Sequence, residues 1–322
     1  MPKEITHWLI AAETARSIEG SALGAAVSAF PNCFKLGVIL PDVLFFAAWY
    51  RNGGIYVDLA DEYHGVHGED TFILLRNLAE IPRDDPHARQ MQAIWAGVVS
   101  HIYADIVFHP LVFYLTGNYH DSDPVARTRA VQSHRRFEAL MDFRFGERSG
   151  GAKGHSLRAI LAGLEIPRPR LFERLPHCNG AGAELPGMSG ALEFSLWEYQ
   201  LLQAMNKCLF LGGALHFTDG LLPDVANEIA ATFQAPQMRS FFPALDAEIP
   251  YRNPVTGDAT ASSIDDLFHE AVRRGAAFCL KMERAVLESD PDLIAERGPS
   301  LCYGLEGVSA DRGRFFAPRP FC

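Results

Sequence analysis

Two short stretches carry the chemistry: His101-Ile102-Tyr103-Ala104-Asp105 and His134-Arg135-Arg136-Phe137-Glu138 each set a histidine four residues before a carboxylate. On an α-helix that spacing stacks the two side chains on one face, about 5–6 Å apart at their Cβ atoms. A divalent cation uses such a pair, in which a neutral nitrogen and an anionic oxygen converge. His109 follows one turn after Asp105, with Pro110 directly behind it. Two such pairs in one chain point to a metal site built on helices.

Further donors surround them. Nine of the twelve histidines fall before residue 156, and the candidates in chain order are His7, Asp42, His64, His67, His101, Asp105, His109, His134 and Glu138. His7, taken alone, reads equally as a surface or core residue. Asp42 follows Pro41 amid Leu and Phe, where an acid needs a partner or a metal. His64 and His67 lie in His-Gly-Val-His-Gly-Glu-Asp, which is either a polar loop or the source of at least one ligand. His101 and Asp105 interrupt an otherwise apolar run, and a buried carboxylate there must face something cationic. No Lys or Arg is close in sequence, so the partner is a metal or an Arg from another helix. His134 and Glu138, flanked by Arg135 and Arg136, also fit an ordinary helical ion pair. His120-Asp121 raises an HD-type phosphohydrolase, but it sits in a turn where Asp121 and Asp123 serve as turn and cap residues. His155, His177, His216 and His269 have no matched neighbours and read as structural or surface residues.

The elements that must position these groups are helical. Apolar periodicity predicts helices over residues 5–19, 69–79, 88–115, 189–215 and 262–287, the last with cap chemistry from Ser262, Ser263, Asp265 and Asp266. Residues 34–50 are nearly all apolar, so they are predicted to be deeply buried and interrupted around Pro41. Pro110 is predicted to break or bend the helix carrying His101, because it lacks an N–H and disfavours helical geometry at His109. Asp123-Pro124 predicts a capped helix running to about Phe145. Residues 146–154, 176–190 and 236–260 have loop compositions. The glycines of 180–187 resemble a dinucleotide fingerprint only superficially, with the third out of register and no strand before it. No period-2 pattern persists, so the fold class is all-α, a multi-helix bundle without repeats. Residues 1–155 are predicted to form the metal-binding catalytic core, with 156–322 a helical continuation packed on it.

Composition narrows the partners. The chain has 322 residues, 48% hydrophobic and 21% charged, with a net charge of −10, as in a soluble globular protein. That charge disfavours a polyanion partner held by bulk electrostatics, so no stable nucleic-acid complex is expected, and it disfavours lasting adhesion to an anionic membrane. The apolar run near the start is broken at Glu13 and Arg16, too short and charged for a signal peptide, and residues 43–50 fall far below spanning length. Six widely spaced cysteines without a CxxC read as reduced thiols, and the expected location is cytoplasmic.

The order of donors resembles the zinc-dependent phospholipase C family. It is also similar to the catalytic domain of glycosylphosphatidylinositol-specific phospholipase D and, more distantly, to the single-strand-specific zinc nucleases. The matching pieces are Thr6-His7, Pro41-Asp42, the His64/His67 loop, His101-x-x-x-Asp105-x-x-x-His109 and His134-x-x-x-Glu138, together covering roughly residues 1–145. The resemblance implies an all-helical fold around two or three zinc ions. His64 (or His67), His101 and Asp105 would hold one, and His109, His134 and Glu138 a second. His7 with a bridging Asp105 would serve a third, and Asp42 would orient or deprotonate the attacking water. Clustered Zn²⁺ acidifies water, neutralises phosphate oxygens and clamps attacking and leaving groups.

The chain departs from the secreted members, which use a processed N-terminal amine as a ligand. Here Met removal would expose Pro2. The step from Asp105 to His109 matches the glycosylphosphatidylinositol enzyme, and the gap from His109 to His134 is longer than in the secreted phospholipases. The implied activity is hydrolysis of a phosphodiester or phosphomonoester, on a small-molecule or lipid substrate such as a phospholipid headgroup. The alternatives are a nuclease-like or HD-type phosphoesterase, for which Trp8, Trp49, Tyr63 and Tyr103 could stack a base, and a metal-binding protein without turnover.

Overall fold

The computed structural model describes residues 3–149, 156–172, 185, 187–218 and 224–318. Its helices in chain order are α1 (Glu4–Ser17), α2 (Ala22–Ala29), α3 (Pro31–Val43), α4 (Gly53–His64), α5 (Ile73–Ala79), α6 (Ala88–Thr116), α7 (Pro124–Arg148), α8 (Leu157–Ala162), α9 (Arg168–Phe172), α10 (Met188–Asn206), α11 (Leu209–Phe217), α12 (Asp224–Ala230), α13 (Phe242–Asp246), α14 (Ile264–Lys281) and α15 (Glu283–Leu287). The fold is an all-α bundle with one small antiparallel hairpin, β1 (Ile249–Arg252) paired to β2 (Ala259–Ser262), Ile249 opposite Ser262.

Helix α6 is the axis. Nearly all of it is buried, and α1, α3, α7 and α14 pack around it. Helix α3 crosses α6 where Gly37 meets Gly97. A Cβ on Gly97 would lie 2.2 Å from the Phe34 carbonyl, and one on Gly37 would lie 2.1 Å from that of Ile94. Only glycine permits this backbone-to-backbone approach, and it sets Asp42 against His101. The main hydrophobic cluster joins Trp8, Leu36, Trp95 and Val98 to Leu192 and Leu196 of α10 and to Phe278 and Leu301. A second cluster, with Phe108, Phe137, Leu140 and Leu267, fills the space between α6, α7 and α14. Alone among the described helices, α6 is long and apolar enough to cross a membrane, and 83% of its most apolar window is buried within the bundle.

Local sequence chemistry explains the helix starts. Asp123 accepts a hydrogen bond from the Val125 N–H, with Pro124 in the first turn of α7. Ser263 and Asp266 close a reciprocal capping box on α14.

Four expectations need correction. Of the break or bend expected at Pro110, the break does not occur: α6 continues to Thr116. Ile106, Val107, Phe108, Leu111 and Val112 are all buried around the proline, so packing on both sides outweighs one lost hydrogen bond. The backbone of Gly304 (φ 69°) lies over the Ile106 carbonyl that Pro110 leaves free. Helix α3 likewise passes through Pro41 to Val43 and then tightens into a 3₁₀ turn, Leu44–Ala47. The predicted helix over 189–215 is two, divided at Lys207 and Cys208. Residues 236–260 are not a bare loop: they contain a 3₁₀ turn, α13 and the hairpin.

The glycine-rich run at 180–184 and most of the loops predicted at 146–154 and 176–190 lie outside the described residues, as does Pro2. Cys33, Cys208, Cys279 and Cys302 are free thiols, and Cys178 and Cys322 also lie outside the described residues.

Candidate metal centre

The i, i+4, i+8 spacing lines His101, Asp105 and His109 along one face of α6, all three buried. Four other helices bring donors to that face: His7 from α1, Asp42 from α3, His64 from α4, and His134 with Glu138 from α7. Three groups result, His7/His101/Asp105, Asp42/His64/His101 and His109/His134/Glu138, each with its donor atoms within 4.8 Å of one another. His67 is in none of them. It lies in the loop after α4, its backbone N–H donating to Glu69. His120 and Asp121 also stand outside the groups, and Asp121 accepts from the Asp123 N–H in the turn before α7.

Asp105 is the hub. Its Oδ1 lies 3.3 Å from His7 Nε2 and 3.8 Å from His109 Nε2, and its Oδ2 lies 3.3 Å from His101 Nε2 and 3.8 Å from His64 Nε2. Asp42 Oδ1 is 3.1 Å from His64 Nε2 and 3.6 Å from His101 Nε2. The His7 and His101 rings stack at 4.4 Å. On α7, His134 Nε2 and Glu138 Oε1 are 3.0 Å apart. Among the described residues no Lys or Arg pairs with Asp42 or Asp105, so an arginine from another helix is not their partner.

The backbone fixes which ring nitrogens face inward. His101 Nδ1 lies 2.9 Å from the Val38 carbonyl, His64 Nδ1 2.7 Å from that of Ala60, and His109 Nδ1 2.6 Å from that of Leu301. A carbonyl oxygen only accepts, so each Nδ1 carries a proton, and each ring, when neutral, presents a bare Nε2 lone pair to the cluster. Those lone pairs face carboxylate oxygens, which also only accept. His101 Nε2, His109 Nε2 and both Asp105 oxygens are buried without a hydrogen bond. Acceptor facing acceptor at 3.3–3.8 Å is repulsive unless a cation lies between them. This donor set fits a metal, and its carbonyl-anchored imidazoles are the outer shell that metal-binding histidines use.

The electrostatics agree. Burial pushes the Asp105 pKa up, but His109, His101 and His7 outweigh it and hold the carboxyl well below its ordinary range. Burial likewise opposes the ionised form of Asp42, and His101 and His64 bring it below the usual value. His101 is raised despite burial, by Asp42 and Asp105, so without a metal its Nε2 takes a proton. Burial drives His109 down to about 3, and burial with His109 and His120 drives His134 well below the usual imidazole value. Those two rings are neutral, with lone pairs available to a cation.

Sequence reasoning missed Asp142. It sits one turn beyond Glu138 on α7 and is 1% exposed. Its carboxylate accepts from the Ile5 N–H (3.1 Å), the Thr6 N–H (2.8 Å) and the Thr6 hydroxyl (2.6 Å). Helix α1 has no side-chain cap of its own, so an acid from α7 caps it and seats His7. The i, i+4 step from Glu138 and the apolar neighbours Met141 and Phe143 were the available signals. The carbonyls of Val38, Ala60 and Leu301 left none, because every residue has one.

The site's aromatic walls are Phe45 beside His64, and Phe113 and Tyr119 beside His134. Trp8 is buried and donates to the Lys35 carbonyl, Tyr63 is buried, Tyr103 packs on Phe278, and Trp49 is exposed.

Compared with known families, residues 6–174 match the family model described as zinc dependent phospholipase C. No curated protein and no solved structure matches the chain.

Proposed function

The chain belongs to the zinc-dependent phospholipase C family and is a zinc-dependent phosphoesterase, and on that footing we propose how its residues divide the work. His109, His134 and Glu138 would hold one zinc. His64, His101 and Asp42 would hold or border a second, and His7 with Asp105 would serve a third. The observation that carries this reading is the set of Nε2 lone pairs turned by backbone carbonyls onto Asp105 and Asp42.

When bound, clustered divalent zinc acidifies water and neutralises the charge of a phosphate oxygen. The chain's residues supply the rest. Asp42, ionised and at the border of the cluster, accepts the proton of the attacking water. His64 Nε2 lies 3.1 Å from Asp42 Oδ1, so the two groups stand together at the border of the cluster. Phe45, Phe113 and Tyr119 exclude bulk water from the flanks, which strengthens each electrostatic contact inside. The finer substrate reading is a phosphodiester, with a lipid headgroup linkage as the family-level choice. The acidic body supports a substrate other than a nucleic acid. Free thiols at Cys33, Cys208, Cys279 and Cys302 support a reducing, cytoplasmic location, and the shared hydrophobic cluster supports residues 156–322 as a continuation of the catalytic core.

The test is turnover of generic phosphodiester and phosphomonoester reporters by zinc-loaded protein, with and without a chelator. Chelator-sensitive cleavage with the diester preferred is expected. Cleavage that survives full metal removal contradicts the reading.

A further inference from the structure

His67 belongs to another feature. With Val255, Val308, Arg312, Arg314 and Phe315 it lines a pocket of about 500 Å³. Three backbone anchors build the walls. The Ala310 N–H donates to the Val66 carbonyl (2.6 Å), the Arg314 N–H to that of Pro254 (2.7 Å), and the Ala317 N–H to that of Tyr114 (2.7 Å). The C-terminal segment is thus clamped to the α4 loop, the hairpin turn and the end of α6.

The pocket and the metal centre share an aromatic partition. Val255 and Val308 pack in one cluster with Phe113 and Tyr119. The Tyr119 ring lies 5.1 Å and the Phe113 ring 4.8 Å from the ring of His134, which is in the His109/His134/Glu138 group. The lining of the pocket thus joins the cluster that holds the two rings beside His134.

The charge is local. In a chain of net charge −10, Arg312 and Arg314 both line the pocket, and neither makes an ion pair among the described residues. Of the adjacent acids, Asp311 accepts from the Ser309 hydroxyl and also feels the charge of Arg312 and His67, and Glu69 accepts from the His67 backbone N–H. Guanidinium groups in a concave site recognise phosphate and carboxylate by paired, charge-assisted hydrogen bonds.

We propose that this pocket binds a second anionic group of the substrate, so that the preferred substrate is a phosphodiester whose headgroup carries a further phosphomonoester. The proposal rests on the phosphodiesterase reading. The scissile phosphate sits at the metal cluster, and the distal phosphate reaches past Tyr119 to Arg312 and Arg314. Both arginines lie beyond residue 174, so the family match does not cover them.

The test compares kcat/KM of the zinc-loaded protein on glycerophosphoinositol 4-phosphate and on glycerophosphoinositol, each also as its diacyl form in neutral vesicles. The wild type should favour the doubly charged probe roughly 10- to 100-fold, the effect of one or two charged hydrogen bonds. That ratio should collapse toward unity in Arg312→Ala/Arg314→Ala and survive in part in Arg312→Lys/Arg314→Lys. Preference in the soluble pair assigns recognition to the headgroup alone, and preference only in vesicles assigns it to the lipid. Either form supports the pocket. A wild type without preference, or a double variant that keeps it, overturns the proposal. If no probe is cleaved, the phosphodiesterase reading fails separately. Calorimetric binding of the two soluble probes to the same proteins then decides the pocket by the same ratio.

Discussion

Leu301 and His109 are 192 residues apart, yet the Leu301 carbonyl accepts the His109 Nδ1 proton at 2.6 Å. The same residue's N–H donates to the His64 carbonyl at 2.9 Å. One residue near the C-terminus thus ties two helices of the metal cluster together and sets the tautomer of one histidine. The site is not complete within the N-terminal half.

A chain ending at Arg297 should therefore lose zinc affinity by roughly 10- to 100-fold, the scale of outer-shell losses, while its far-ultraviolet spectrum stays helical. Competitive titration with a chromogenic chelator measures it. Unchanged affinity would show that the Leu301 link is incidental.

Replacing Asp42 by Asn should lower kcat by about 10²- to 10⁴-fold, the range for losing a general base, with zinc retained. Elemental analysis beside the rate separates this from a purely structural role. Loss of metal in step with activity would make Asp42 a ligand only.

Asp142 gives a pH signature. Burial, then the charge of Glu4, pushes its carboxyl from an ordinary 3.8 up to about 7. Between those values the folded chain keeps a proton that the unfolded chain has lost. Its stabilising contribution is full below pH 3.8 and is lost as pH rises through about 7. The amide of Asp142→Asn cannot titrate. The stability of wild type minus that of Asp142→Asn, from urea unfolding, should thus be greater at about pH 5 than at about pH 8, by on the order of 1–3 kcal/mol. A difference independent of pH would contradict the shift.

Gly97→Ala tests the crossing that sets the cluster. The new methyl meets the Phe34 carbonyl at 2.2 Å, so α3 must move off α6, at about 3 kcal/mol. Asp42 moves with α3 and His101 stays on α6, so zinc affinity should fall with stability in denaturant titration. A stable variant with full affinity would mean the helices shift without disturbing the site.

The donors were legible because helical spacing is a local property: His101, Asp105 and His109 share a face whatever packs on it. The all-α class and the caps at Asp123 and Ser263 were legible for the same reason. Pro110 alone could not decide against a break, because the packing that holds α6 together around it comes from residues distant in sequence, Gly304 among them. The Leu301 and Val38 carbonyls were invisible, since backbone atoms carry no residue signature. Whether His64 or His67 faces the cluster was also open. It is decided by where α4 stops, at His64, with Gly65 in the left-handed conformation (φ 64°) turning the chain away.

The most direct measurement is the zinc content of purified protein beside a His101→Ala/His134→Ala variant, with phosphodiester turnover recorded on both. Each substitution removes a donor from a different group of the cluster, and His101 serves two of the three. The account predicts two or three zinc ions per wild-type chain, and loss of both metal and turnover in a variant that remains helical. A wild type without stoichiometric metal, or a variant that keeps its activity, would contradict it.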